Sequence, residues 1–230
     1  MPGLAMRSAD ANGGEPDMAT RAAVSWTQMA AYAQQVLAGA LAAAIADERL
    51  DRERYQHWMA MESAACRIGA LVLDRLADWH GAQPQLRSTA LGWATSLRED
   101  ALAAAADVRA LDGFAASPPE TLARWHAYVE AACRSPRAGE ALGTVLLHSH
   151  LLHGAARDAV DLVLELPYLA TRGRSWLLLR REEPDARTVR EREELMAAWS
   201  NAALAAGAQR AAAWHREALH LVLTSMPIAR

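Results

Sequence analysis

The chain has 230 residues, 52 % of them apolar, and a formal net charge of −3; all 24 of its basic residues outside histidine are arginines. That length suits one domain with a full core, since single domains run from about 50 to 250 residues. The near-neutral balance argues against a nucleic-acid partner, which requires a clustered basic face.

Alanine and leucine dominate while phenylalanine occurs once. These are helix formers without the β-branching that favours strands, so an all-α protein is expected. Residues 1–19, "MPGLAMRSADANGGEPDMA", contain no apolar core of a secretory signal and read as a disordered leader. The domain proper then covers residues 20–230. No run of about 18 residues reads as a membrane span. Two cysteines, Cys66 and Cys133, sit in apolar helical patterns, which suits reduced thiols and a cytoplasmic location.

In chain order, residues 20–46 are helix-prone, and "DERLDRERYQ" forms a charged joint. A long amphipathic helix over residues 51–80 ends before "GAQPQ". Another covers 86–111, closed by "DGF". "SPPETLARWHAYVEAAC" supplies a serine and prolines ahead of a helical pattern, with glutamate in the first turn. After "RSPRAGE" a histidine-bearing helix is expected over 140–166, interrupted by Pro167 and "TRGRS". The segment "SWLLLRREE" is short and ambiguous, and two last helices are expected over 187–205 and 208–225, separated at Gly207. This gives about seven helices with short loops and no internal repeat, a single-domain bundle. The arginines of "RREEPDARTVREREEL" alternate with acids, as on a solvated face.

Periodicity marks the unusual polar residues. On the second helix, Tyr55, Trp58, Met59, Glu62, Ala65, Cys66 and Gly69 share one stripe, opposite Arg52, Glu53, Gln56, Ser63 and Arg67. Glu62 is the misfit, because a buried carboxylate is costly unless it is paired, metal-bound or protonated. An internal salt bridge would explain it equally well. On the histidine helix, Ala141, Thr144, Val145, His148, Leu152, Ala155 and Ala159 make an apolar stripe that turns His148 inward. His150 and His153 fall on the polar side with Arg157 and Asp161, as a surface or interface pair or as two ligands needing a third. One metal ion cannot take all three histidines from one continuous helix. Opposite Glu62, His148 suits proton transfer or metal binding; alone, it reads as a satisfied core histidine. Trp58, Trp93, Trp125, Trp176 and Trp214 lie at helical spacings, as core or as cavity lining. The only Glu-x-x-His spacing joins Glu217 to His220, and no Gly-rich phosphate loop, Cys-x-x-Cys or Gly-x-Ser-x-Gly is present.

Over residues 20–226 the helix order and several local patterns resemble the heme-oxygenase-like superfamily, which comprises heme oxygenases, TenA-type thiaminases and related metal oxidases. "LDRERYQHWMAMES" is similar to the TenA segment with an active-site aspartate, at whose position Glu62 stands. "EALGTVLLHSHLL" is similar to the segment with that family's catalytic cysteine, replaced here by His148. "AAWHREALHLVL" resembles the last helix and puts Glu217 at the catalytic acid. "LPYLATRGRSWLLL" looks more like a heme oxygenase, yet "YAQQVLAG" has Gln34 or Gln35 where that family keeps its proximal histidine. The metal oxidases' histidine on the helix of Glu99 is also absent. The resemblance implies a small organic ligand in the bundle centre and oxidoreductase chemistry, with Glu62, His148 and Glu217 as acid/base groups. It further implies Glu62 and His148 as ligands to iron, Gln35 beside a heme, and pairing into a homodimer. A non-catalytic ligand- or partner-binding helical protein is the alternative.

Overall fold

The computed structural model describes residues 25–81, 83–112, 120–153, 156–183 and 185–224; the leader expected over residues 1–19 lies outside them. Among these residues the secondary structure is entirely helical. The α-helices are α1 (Trp26–Ala46), α2 (Arg52–Trp79), α3 (Pro84–Ala110), α4 (Glu120–Cys133), α5 (Ala138–His150), α6 (Arg157–Leu164), α7 (Ser175–Arg181), α8 (Ala186–Ala197) and α9 (Asn201–Thr224), with a 3-10 turn at Pro167–Leu169.

Local chemistry explains the starts. Ser25 and Gln28 form a capping box on α1, the Asp51 carboxylate accepts from the Arg54 N–H at the start of α2, and Asp185 accepts from two backbone N–H groups of α8. Each occupies donors that an isolated helix leaves bare.

Helix α5 is buried on nearly every side, as expected of a helix that is apolar all round. It packs on α9, α2, α1 and α4, while α3 runs along α2 and carries α7 and α8 on its other flank. A continuous core joins Trp58, Leu73, Leu97, Trp125, Val145 and Trp176.

Among the described residues nine α-helices replace the seven or so expected; two differences add a helix each and a third moves a boundary. The helix expected over 140–166 divides, because Arg180 of α7 donates to the carbonyls of His148 (3.0 Å) and Ser149 (2.7 Å) and so stops α5 there. The ambiguous "SWLLLRR" is helical, its first N–H groups held by the buried Asp107 carboxylate of α3, at 2.9 Å for Ser175 and 2.8 Å for Trp176. Gly207 lies inside α9 and ends nothing; the break comes earlier, where the Ser200 hydroxyl accepts from the Ala203 N–H at 3.2 Å. Gly207 instead permits a close helix crossing. A Cβ there would collide with the Glu140 carbonyl, and one at Gly143 with that of Leu204.

Two smaller corrections concern exposure. Ser63, expected on the solvated face, is buried and donates to the Ala101 carbonyl at 2.8 Å. Helix α1 is long and apolar enough to cross a membrane by length and composition, with a mean hydropathy of 1.4 over its most apolar window and 28 % of that window buried. Core helices of soluble proteins and signal sequences share this composition.

Candidate functional site

The second and fifth helices bring Glu62 and His148 together. Oε2 of Glu62 lies 3.7 Å from Nδ1 of His148, and both residues are buried. The other carboxyl oxygen, Oε1, accepts from the Trp58 indole N–H one turn earlier at 2.9 Å. His148 Nδ1 is also 3.3 Å from Nε2 of His215 on α9, and the two rings lie nearly parallel, 7° apart in plane with centroids 5.2 Å apart. The remaining nitrogen of His148 is 3.3 Å from Sγ of Cys66. Trp125 stands edge-on to both imidazoles and stacks against Trp214.

Burial governs the protonation of this cluster. Desolvation raises the Glu62 carboxyl to about 7, although the Trp58 N–H and the charge of Arg180 pull it back. Desolvation holds His148 well below its ordinary value, helped by His215 and Arg180. The same cause brings His215 down to about 4 and pushes the Cys66 thiol far up. The close approach of Glu62 and His148 is therefore a contact between a carboxyl that titrates near neutrality and a neutral imidazole. At 3.7 Å it is longer than a hydrogen bond. Two proton arrangements satisfy the chain: the Cys66 S–H donates to His148 Nε2 and His148 Nδ1–H to His215 Nε2, or, in reverse, His215 Nε2–H donates to His148 Nδ1 and His148 Nε2–H to the Cys66 sulfur, which leaves His215 Nδ1 an acceptor.

Beside this cluster lies a cavity of about 490 Å³ between α1, α2 and α9, with Trp58, Glu62 and His215 in its wall. Most of the remaining surface is apolar, from Val36, Leu37, Ala40, Leu219 and Leu223, with Tyr32 and Arg216 at the rim. Its size and character suit a small organic ligand. The geometry thus gives Glu62 and His215 access to a ligand, while His148 and Cys66 stand behind them.

Other expected site residues lie elsewhere. Glu217 is on the surface, ion-paired with Arg124, its side chain 46 % exposed. It is two positions from His215, about 200° around the helix, so the inward place belongs to the histidine. Gln35 is exposed on α1 and outside the cavity wall; its neighbour Gln34 donates to the His150 carbonyl at 2.6 Å. His150 and His153, expected as a surface or interface pair, are partly buried. Their rings are 6.1 Å apart, and His150 lies 5.1 Å from the Trp26 ring. Burial lowers both to about 4, and neither joins Glu62.

This donor set does not suit iron or heme. Both nitrogens of His148 already have partners, and among the described residues no group of three or more His, Cys, Asp or Glu side chains is disposed to hold a metal ion. Gln35, standing where a heme ligand was expected, does not reach the cavity.

Sequence reasoning missed His215 and Arg180. His215 continues the inward series Leu204, Ala208 and Ala211 toward Ala218 and Leu219, so its spacing was a usable signal. Arg180 had none, because an arginine that follows the four apolar residues Trp176 to Leu179 and precedes another arginine reads as a solvated terminus. No protein-family model, curated protein or solved structure matches the chain.

Proposed function

We propose that the protein is an enzyme that takes a small, largely apolar organic molecule into the cavity between α1, α2 and α9 and transfers a proton through Glu62. The observation that carries this reading is the position of Glu62: a carboxyl in the cavity wall, raised to about 7, with neutral imidazoles beside it. General acid–base catalysis works best when the catalytic group titrates near the working pH. Trp58 fixes one carboxyl oxygen, and His215, in the tautomer whose Nε2–H donates to His148, gives the cavity wall a second group able to accept a proton, with His148 and Cys66 as a hydrogen-bonded reserve behind it.

The helix order, with an inward acid on α2 facing α5, also supports a heme-oxygenase-like arrangement, and we keep that fold as part of the proposal. Oxidoreductase chemistry with iron or heme rests on this resemblance alone, and the side chains around Glu62 favour metal-free proton transfer. A binding protein without catalysis is the second reading. It is favoured by the full enclosure of Cys66 and His148, which makes part of the polar cluster a packing element.

Replacing Glu62 by glutamine and, separately, by leucine tests the proposal. Ligand-observed NMR against a set of small aromatic and aliphatic fragments reports cavity binding in each variant. Binding that survives in Glu62→Gln, together with turnover of a bound fragment by the wild type alone, supports acid–base catalysis. A Glu62→Leu protein that is more stable and binds the same fragments equally well would reduce Glu62 to a structural burial.

A further inference from the structure

A second concavity, of about 480 Å³, lies on the far side of the molecule's core between α3 and α8. It differs in kind from the first. Helix α3 contributes Gln85, Ser88, Thr89, Gly92, Trp93 and Ser96, and α8 contributes Arg187, Thr188, Glu191 and Arg192. Hydroxyls, an amide and guanidinium groups thus converge on a single cleft.

The charges in it are unequally matched. Arg187 is spoken for, its Nε donating to the Glu191 carboxylate at 2.7 Å. Arg192 is partly buried and sits over the Trp93 ring, its Cζ 4.5 Å from the centroid. Its Nε is enclosed without a hydrogen-bond partner, as is the Trp93 indole nitrogen, and no carboxylate lies within ion-pair distance among the described residues. The acid whose charge acts most on Arg192 is Asp100, whose short contact, 3.4 Å, is to Arg180. Asp185, also in its field, is committed to capping α8. Two partly or wholly buried arginines therefore share one enclosed carboxylate. Burial and the like charge of Arg180 pull the Arg192 guanidinium down to about 10, a sign that its cation is under-compensated. A buried cation without a counter-charge is costly, and a guanidinium is well shaped to receive an oxyanion through parallel N–H donors.

We propose that the α3–α8 cleft binds a phosphoryl group, with Arg192, held against Trp93, as its principal cation and the hydroxyls of Ser88, Thr89, Ser96 and Thr188 as further donors. A phosphoryl group uses several such donors at once, where a chloride would use the charge alone. Glu191 remains paired with Arg187 at the rim. The site is independent of the Glu62 cavity and of the catalytic reading.

The test uses the full chain with inorganic phosphate and with glycerol 2-phosphate, each against sodium chloride at matched ionic strength and pH. Melting temperature and the Trp93 indole N–H resonance are followed in titration. A saturable rise in melting temperature and a shift of that resonance, with either probe and not with chloride, are expected; which probe binds tells whether the free ion or an ester is preferred. Arg192→Gln should weaken binding at least tenfold. Should that variant fail to fold, Gly92→Asp decides, because a Cβ at Gly92 meets nothing within 4 Å and the new carboxylate would face the cleft; it should abolish binding. Equal responses to phosphate, its ester and chloride, or full affinity retained in Gly92→Asp, would overturn the proposal.

Discussion

Nε2 of His215 lies 3.3 Å from Nδ1 of His148, and the two rings are parallel to within 7°. This stack joins the enclosed interior of α5 to the cavity wall formed by α9, and Glu62 closes it from α2. Both imidazoles are held neutral by burial, so the stack is one of hydrogen-bonded neutral rings, free of the repulsion between two cations.

The pH dependence of stability should carry the signature of Glu62. Its folded value, about 7, lies above the ordinary 4.5, so the native state binds the extra proton. The stabilisation of the protonated carboxyl is fully present below pH 4.5 and is lost as pH rises through 7. The size is roughly 3 kcal/mol. Glu62→Gln keeps a neutral acceptor for Trp58 and should remove this loss. Thermal unfolding at pH 5 and pH 8 should show a smaller difference in the variant than in the wild type; equal differences would place the carboxylate in water.

The histidines act in the opposite direction. His150, His153 and His215 titrate at about 4 in the fold, against an ordinary 6.5. The unfolded chain therefore takes up protons first, and stability present above pH 6.5 is lost as pH falls through 4. His215→Asn should reduce the acid sensitivity measured by denaturant unfolding between pH 6.5 and 4.5. An unchanged slope would mean that His215 is solvated and outside the cluster.

Arg180 holds the end of α5 in place. Its bonds to the carbonyls of His148 and Ser149 and its contact with Asp100 all disappear in Arg180→Met, leaving buried acceptors bare. The expected cost is roughly 3 kcal/mol or more, read by urea unfolding. Because the His148 backbone is then released, the His148 and His215 ring resonances should shift too. A loss of stability without that shift would separate Arg180 from the site.

Two glycines distinguish packing from conformational freedom. Gly207→Ala sets a methyl against the Glu140 carbonyl at the α5–α9 crossing and should cost about 3 kcal/mol or prevent folding. Gly39→Ala in α1 meets nothing within 4 Å and should stabilise by about 1 kcal/mol, the usual gain of alanine over glycine in a helix. Melting temperatures moving in the same direction for both would contradict the close crossing.

The sequence made the helical class and the long helices legible because their apolar period is uninterrupted, and it marked Glu62 and His148 because each is a polar residue on an apolar stripe. What escaped it depends on tertiary partners. The end of α5 is set by an arginine from α7, and Gly207 reads as a breaker when its actual role is to admit another helix. Glu217 was selected by a local likeness in the last helix, whereas the inward stripe of α9 passes through His215, which has no charge to draw attention at neutral pH. Arg192 shows the reverse: an alternating charge pattern reads as solvated, yet the fold lays this guanidinium on Trp93.

The most direct measurement is a carbon-13 NMR titration of the side-chain carboxyl of Glu62, assigned by comparison with Glu62→Gln. A midpoint near pH 7, accompanied by a shift of the His215 ring resonances over the same range, is the predicted result. A midpoint near 4.5 with silent histidines would place the carboxyl in ordinary solvent and contradict the proton-transfer account.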